Sequence, residues 1–522
     1  MFANHRALNT RSFGVRNQLL VGMGLFVFST WLAWDVGEKI VAGDQRSLLF
    51  GALILGGFGA AAITLRNWRT GFCLFFVWMT LEDLVRKYMG NGSALFFGKD
   101  VFLALVYVAF FLEFRRRKER MFHPPFLLFL GLFFWLAVLQ VFNQNSPHIL
   151  YGLLGLKVDF YYVPLMVIGY AFVRNEADLK KFLLMNAVIA GLIAILGMIQ
   201  AIMGNGFLNP AHLAPELEDL GSLTKYTPLS SHRFSLPDSV FVSSGRFAVY
   251  LLVAFILMIG AAGYLVLGSN RGRRPIFLTI GILGGATMLA GNRGALAYGA
   301  ATAIVLPLAF LWGAPDFQTR WLARAIRRSF FAGVLVLSAI ILFFPSDAGS
   351  RIAFYTETLN PSSSAYEAGF RAWDYPVSNL LEAFQQPNWV LGNGTGTVTL
   401  GRQYVAKLMG DRPPRIGVEE GFGNLILEMG CIAPFLWILW SGFLLYYSWK
   451  VVRRLRGTRL FPVAFAIFWY ALLLLFPITF ASLSTYQDYV CNVYLWLLVG
   501  MLFRLPRIAD VSGGTISYVS SQ

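Results

Sequence analysis

Apolar residues run through most of this chain in stretches of roughly twenty, and short polar segments separate them. A helix that crosses the apolar core of a bilayer needs about 20 such residues, because its backbone must satisfy its own hydrogen bonds there. The third, ninth, eleventh and last stretches are short or interrupted. The pattern predicts about fourteen membrane spans, at 17–34, 47–65, 70–88, 94–112, 125–142, 151–173, 182–203, 246–268, 276–291, 295–312, 329–344, 422–447, 461–481 and 488–503.

The polar segments differ in length, and this predicts the organisation of the chain. The first eleven spans form an N-terminal membrane region, 1–344, that includes an outer loop at 204–245. A large outer loop follows at 345–421, then a C-terminal membrane region at 422–503 and a tail at 504–522. The predicted fold is therefore an all-α, polytopic bundle of transmembrane helices, with a large loop before its last three helices.

Composition and charge agree with this interpretation. Hydrophobic residues make up 57% of the 522 residues and charged residues only 13%, whereas soluble domains have about 25% charged residues. The formal net charge of +16 arises from short Lys/Arg clusters that fall in alternate loops. Cytoplasmic loops carry such an excess, so both termini are expected in the cytoplasm and the long loops in the periplasm. The clusters indicate topology and not a nucleic-acid-binding face.

Charged residues inside the spans share one level, at or near the outer helix ends. Charge within a membrane is costly and usually marks function. Several of these residues also have a structural explanation. Glu82 and Arg86 are four residues apart and can neutralise each other, and Lys99 can extend to the interface. The whole set is Glu82, Asp83, Arg86, Lys87, Lys99, Asp100, Lys157, Asp159, Arg246, Arg293, Glu428 and Asp488.

Three cations and two acids near the outer helix ends are candidates for substrate binding or catalysis. Arg246 and Arg293 stand at outer helix ends, where a guanidinium group binds either phosphate oxygens or lipid headgroups. Two such arginines favour a diphosphate site. Lys157 and Asp159 lie deeper in the sixth span and on different faces of its helix. Each of them therefore needs a partner from a different helix. Glu419 and Glu420 precede the twelfth span, where they either cap the helix or act as a general base.

Five segments of the chain occur in a characteristic order. They are LEDLVRKY…FFGKDVFLALVY (81–107), GLLGLKVDFYYVPLMVIGYAF (152–172), VFVSSGRFAVYL (240–251), LAGNRGALA (289–297) and VEEGFGNLILEMGCIAPFLWIL (418–439). Together with the large loop before the last helices, they resemble the O-antigen ligase and O-antigen polymerase superfamily, and most closely its polysaccharide polymerase branch. The resemblance covers the chain from the third span to the last.

The resemblance implies a GT-C-like membrane glycosyltransferase of the bacterial inner membrane that works at the periplasmic face. Its donor would be an oligosaccharide on undecaprenyl diphosphate, and its other partners would be membrane lipid and polysaccharide assembly proteins. We expect no metal or cofactor, because arginines can supply the positive charge that a diphosphate leaving group needs. Family arginines bind the diphosphate, and Arg246 and Arg293 match them. We expect Lys157 to assist and Glu420 or Glu419 to act as base. The supporting charges would be Glu82, Arg86, Lys99, Asp100 and Asp159.

The predicted activity is polymerisation of lipid-linked repeat units into O-antigen, capsule or exopolysaccharide. The ligase branch carries a histidine shortly before its N-x-x-L-x-x-x-G segment, whereas this chain has EEGFGNLILEMG there. The departure weakens the ligase assignment, in which the glycan passes to another acceptor. A flippase or exporter of lipid-linked glycan is a further alternative. Such transporters commonly have two related halves, and no such symmetry is present in the sequence.

Overall fold

The structure is a computed structural model that is almost entirely helical in its described part. Nine of the described helices are long and apolar enough to cross a membrane. The prediction of an all-α membrane helix bundle is therefore confirmed, whereas the first predicted span, 17–34, lies outside the described residues. These residues are 45–89, 93–118, 121–204, 206–209, 224–268, 273–315, 318–343, 345–414 and 421–512.

The first part of the described chain contains seven helices and then a β-hairpin. The helices are α1 (Gln45–Arg66), α2 (Trp68–Met89), α3 (Ser93–Arg117), α4 (Leu127–Val141), α5 (Ile149–Phe160), α6 (Leu165–Phe172) and α7 (Glu176–Met203). In the hairpin, β1 (Thr224–Tyr226) pairs antiparallel with β2 (Arg233–Ser235). It lies in the outer loop 204–245, where the apolar pattern did not predict strands.

The second part contains thirteen helices, and three of them, α12 to α14, lie in the large loop. The last span was predicted to end at 503, but its helix continues to Ser512 and includes Arg504 and Arg507 beyond that predicted end. The helices are α8 (Ser244–Leu267), α9 (Arg273–Leu289), α10 (Arg293–Gly313), α11 (Thr319–Phe343), α12 (Pro345–Leu359), α13 (Tyr375–Ala383), α14 (Arg402–Met409), α15 (Phe422–Met429), α16 (Ala433–Arg454), α17 (Phe461–Leu473), α18 (Thr479–Ala481), α19 (Leu483–Gln487) and α20 (Tyr489–Ser512).

Three spans are interrupted, and they are not the four that the sequence indicated. The sixth is divided between α5 and α6 near Pro164, which lacks a backbone N–H. The twelfth is divided between α15 and α16 at Gly430, whose φ of 85° is left-handed. The thirteenth passes from α17 to α18 through a π-helical turn that contains Pro477. The third, ninth, eleventh and last stretches instead form the continuous helices α2, α9, α11 and α20.

The buried helix α20 packs against α6 with almost no space between the two backbones. Each helix has a glycine at the closest approach. A Cβ atom added to Gly500 would lie 2.0 Å from the carbonyl oxygen of Met166. One added to Gly169 would lie 2.2 Å from the carbonyl oxygen of Leu497. Small residues permit this approach of membrane helices, so the two glycines fix the position of α20.

The contact between α6 and α20 gives a first test of the fold. We expect Gly500→Ala to lower the free energy of unfolding by about 1–3 kcal/mol, because backbone atoms surround the site and cannot make room for a methyl group. Gly51→Ala in α1 is the matched control, since nothing lies within 4 Å of a Cβ atom there. Unfolding of both variants in detergent micelles measures the difference. Equal free energies for the two would contradict the close packing.

The helix ends that carry the Lys/Arg clusters meet at one end of the bundle, which we name the basic face. Arg459, after α16, pairs with Glu176 at the start of α7 at 2.7 Å. Arg273, at the start of α9, donates to the carbonyl oxygen of Leu265 near the end of α8. The opposite end, which we name the loop face, carries the hairpin and α12 to α14. That the basic face is cytoplasmic stays a prediction.

A glycine-rich segment of the large loop, 391–401, lies against α4 and α5. The hydroxyl group of Thr395 donates to the carbonyl oxygen of Ala137 in α4 at 3.0 Å. Gly396 has a φ of 87°, and a Cβ atom added there would lie 1.8 Å from the carbonyl oxygen of Tyr151 in α5. The segment consists of turns and bends. It places the next element, α14, over the loop-face ends of α2 and α3.

Candidate functional site

Eight charged side chains from different helices form one buried cluster at the loop face, which we name the charge network. They come from α2, α3, α5, α8 and the residue that precedes α20. Four are cations and four are carboxylates, so the cluster is formally neutral, as buried charges require. The members are Glu82, Asp83, Arg86, Lys99, Asp100, Lys157, Arg246 and Asp488.

Arg246 joins the two sides of the charge network. It lies in the first turn of α8, and the side chain of Ser243 caps this turn by accepting from the Arg246 N–H at 3.2 Å. Its guanidinium group donates to Asp488 through Nε and to Asp83 through Nη1. The side chain is 12% exposed and lies over the ring of Tyr489. Arg246 is therefore held by two carboxylates inside the protein and does not point to lipid.

Pairing within α2 differs from the sequence expectation. Arg86 pairs with Asp83 at 2.8 Å, and Glu82 pairs with Lys99 of α3 at 3.1 Å. The reason is that α2 presents these two carboxylates to different neighbours. Arg86 also donates to the hydroxyl group of Tyr404 in α14 at 2.8 Å. The large loop is thus bonded directly to the charge network.

The lysines of the charge network surround one aromatic ring. Lys99 and Lys157 lie 4.4 and 5.0 Å from the ring centre of Phe96. Lys157 pairs with Asp100 of α3 at 2.8 Å, so it does find its partner on another helix. Lys99 and Asp100 do not extend to the interface, because both are buried and paired. The opposite face of this site is closed by Tyr404, whose ring stacks on Phe96 at 4.2 Å.

Accessibility distinguishes the four cations of the charge network. The side chains of Arg86 and Lys99 are almost completely buried, at 4% and 1% exposure, whereas Lys157 is 19% exposed and has one carboxylate partner. An entering anion can replace Asp100 at Lys157 more readily than it can replace two carboxylates at Arg246. Among the cations of this cluster, Lys157 is the most available for an anionic ligand.

A second buried group of acids lies beside the charge network. Glu428 of α15 accepts from the hydroxyl group of Thr399 at 2.7 Å and from the N–H of Val398 at 2.9 Å, and its other oxygen has no hydrogen-bond partner. Asp159 accepts from Gln487, which also contacts Thr399. Asp159 therefore belongs to this group and not to the charge network. No sequence pattern indicated Thr399 or Gln487.

Lys87 forms a separate ion pair that fixes the outer loop. It bonds Asp238 at 2.9 Å and the carbonyl oxygen of Ser239 at 2.7 Å. Gln200 of α7 donates to the same carboxylate and accepts from both backbone N–H groups. These buried contacts hold 238–242 against α2, directly before Arg246. The pair has a structural role, because each polar atom is used within it.

Arg293 lies at the loop face in a different cluster. It pairs with Glu367 of the large loop at 2.6 Å, although no acid lies near it in sequence. Its guanidinium group and the ammonium group of Lys225 lie 5.4 and 5.3 Å from the ring centre of Phe354. Burial, and next the charge of Arg293, lower the pKa of Lys225. In the described part of the chain, no contact joins Arg293 to Arg246.

Several candidate residues lie outside the described ranges. These include both proposed bases, Glu419 and Glu420. The next residue, Gly421, has a φ of 84°, and a Cβ atom there would lie 2.4 Å from the carbonyl oxygen of Phe480. The end of the large loop is therefore fixed against α18, close in sequence to the start of α20. Among the described residues, no group of His, Cys, Asp and Glu side chains is arranged to hold a metal ion.

Aromatic residues that no sequence pattern indicated lie among the side chains of the charge network. Phe96, Tyr404 and Tyr489 lie between the charged groups, but aromatic residues are common throughout the chain, so nothing in the sequence distinguished these three. The acids Asp83 and Asp488 were recognised as charges of the outer level, without a role. Their role follows from the pairing with Arg246.

Comparisons with protein-family models, with curated proteins and with solved structures find no match. The family relationship of this chain therefore stays a prediction that rests on the five sequence segments quoted above.

Proposed function

We propose that this chain is a membrane glycosyltransferase that polymerises undecaprenyl-diphosphate-linked oligosaccharide units at the periplasmic face. The observation that carries the proposal is the charge network, in which four cations lie together beneath α14 of the large loop. A diphosphate leaving group gains negative charge as its bond to the sugar breaks, and positioned cations stabilise that charge. The sequence resemblance supplies the donor and the reaction class.

In the proposed mechanism the donor diphosphate binds at Lys157 and takes the place of Asp100. Arg246 supports it electrostatically, since this guanidinium group is fixed by Asp83 and Asp488 at the adjacent helix end. Both cations stabilise charge that develops on the diphosphate oxygens. Arg293, which lies in the separate cluster with Glu367, is assigned to the next lipid-linked unit, which accepts the glycan at the same face.

The chemical step transfers the glycan from the diphosphate to a hydroxyl group of the next unit. The acceptor oxygen forms a bond to the anomeric carbon, the bond from that carbon to the diphosphate oxygen breaks, and undecaprenyl diphosphate leaves. Glu420 or Glu419 takes the proton of the acceptor hydroxyl. The large loop covers the site and keeps water from hydrolysing the donor.

The proposed topology has fourteen spans, with the basic face and both termini in the cytoplasm. The described helices alternate between the two faces, which supports this count together with the span that the sequence predicts at 17–34. The loop face is then periplasmic, as the reaction requires. The chain would reside in a bacterial inner membrane with its lipid-linked substrate and the other proteins of polysaccharide assembly.

Deleting the gene in its host tests this function against the alternatives. Loss of a polymerase leaves single repeat units on the cell surface, and this is the expected result. Loss of a ligase leaves long chains on the carrier lipid, and loss of a flippase leaves no glycan outside. Gel analysis of surface glycan and of extracted carrier lipid separates the three. Either of the last two patterns would replace the proposed activity with that of the alternative.

A further inference from the structure

A large cavity lies at the basic face, at the opposite end of the bundle from the charge network. Its volume is about 1070 Å³, and the basic-face ends of α2, α3, α6, α16 and α20 line it. The lining contains seven Lys or Arg side chains but, among the described residues, a single carboxylate, Glu113. Aromatic side chains such as Trp68, Phe110 and Phe503 form the rest of the wall. The cavity therefore combines strong positive charge with an apolar surface.

Most of this positive charge is not neutralised within the described protein. Arg117 pairs with Glu113, and Arg454 with Asp510. Arg69 lies 3.9 Å from Asp178. No carboxylate of the described chain pairs with the four remaining cations of the wall. Two of the four lie against one ring, that of Tyr170. The four are Arg174, Lys450, Arg504 and Arg507.

Two arginines of the wall also have buried donors without an acceptor. The terminal nitrogens of Arg69 donate to the carbonyl oxygens of Phe172 and Ala171, which fixes its guanidinium group, yet its Nε has no partner. The Nε of Arg504 is likewise buried and unpartnered. An unsatisfied buried donor costs about 1–3 kcal/mol, and more for a charged group. An anion in the cavity would offset part of the unpaired charge of the wall and offer acceptors to these guanidinium groups.

We propose that this cavity binds the headgroup of an anionic phospholipid. The phosphate lies between Arg69, Arg504 and Arg507, and the lipid chains cover the aromatic wall. Basic pockets between membrane helices are suited to such headgroups. The apolar wall favours a lipid over a free phosphate ion, since a small ion would leave the aromatic surface uncovered. The bound lipid joins the end of α20 to α2, α3 and α16.

Thermal unfolding of the full-length protein, purified in detergent and depleted of lipid, tests this inference. Phosphatidylglycerol should raise the unfolding midpoint, whereas phosphatidylcholine with the same acyl chains and inorganic phosphate should leave it unchanged. Equal stabilisation by phosphatidylcholine would overturn the requirement for an anion. Equal stabilisation by inorganic phosphate would overturn the assignment to a lipid.

A pair of double variants locates the effect in the cavity. In Arg504→Gln/Arg507→Gln, the phosphatidylglycerol concentration for half the effect should rise about tenfold or more, because each basic residue contributes about 1 kcal/mol to binding anionic lipid. The matched control is Lys180→Gln/Lys181→Gln, which removes the same charge from outside the cavity and should change this concentration less than about twofold. Equal changes in both would overturn the site. If the first double variant does not fold, Arg507→Gln alone provides the same comparison.

Discussion

Replacing Lys157 by alanine is expected to lower the polymerisation rate per folded protein by about 100-fold or more, the usual effect of removing one group that stabilises a developing oxyanion. Lys157 is the most accessible cation of the charge network, and one carboxylate, Asp100, holds it at 2.8 Å. The measurement is the rate at which purified variants in lipid vesicles extend undecaprenyl-diphosphate-linked units. Lys157→Arg should retain part of the activity, because it keeps the charge but changes the geometry.

The control for Lys157 breaks the same ion pair from the other side. Asp100→Asn removes the carboxylate but leaves the ammonium group in place, and Tyr162 can still bond this side chain as it does now at 2.9 Å. If the cation binds the donor, Asp100→Asn should lose less than about tenfold in rate. If the ion pair serves only to hold α3 and α5 together, both variants should lose activity equally. Equal losses would remove Lys157 from the proposed mechanism.

The sequence was sufficient to place most of the charge network. Charges that lie at one level of predicted spans must meet one another, because isolated charges inside a membrane are too costly. Arg246, Lys157 and Lys99 are found together for this reason. The start of α8 could also be predicted, since the serines before Arg246 are favoured as helix caps.

The choice of partners could not be derived in the same way. Glu82 was expected to face Arg86 on its own helix, but it pairs with Lys99, because the rotation of α2 depends on how it packs against α3. The partner of Arg293, Glu367, lies in the large loop, and no local pattern relates two residues so far apart. The same limit applies to Tyr404, which reaches Arg86 only after the loop has folded over α2.

The second large effect is expected for Arg246→Leu, which should lower the free energy of unfolding by about 3–5 kcal/mol. The change leaves Asp488 without its cation and removes one of two from Asp83, and both carboxylates are buried. A buried charge that loses its partner costs much more than the pair contributes. Unfolding in detergent micelles measures this loss independently of any enzymatic activity.

Two further variants separate the loss of a buried cation from a general effect of the substitution. Asp488→Asn should restore part of the stability of Arg246→Leu, since it removes the carboxylate that the first change leaves unpaired, with a coupling of about 1–3 kcal/mol. Arg454→Leu is the exposed control: its partner Asp510 lies 3.5 Å away and both side chains are more than 60% exposed, so about 0–1 kcal/mol is expected. If Arg246→Leu lowered the free energy of unfolding no more than Arg454→Leu, the charge network would not be a buried, coupled unit. A donor diphosphate bound there would then be screened by water and would not be held by fixed cations.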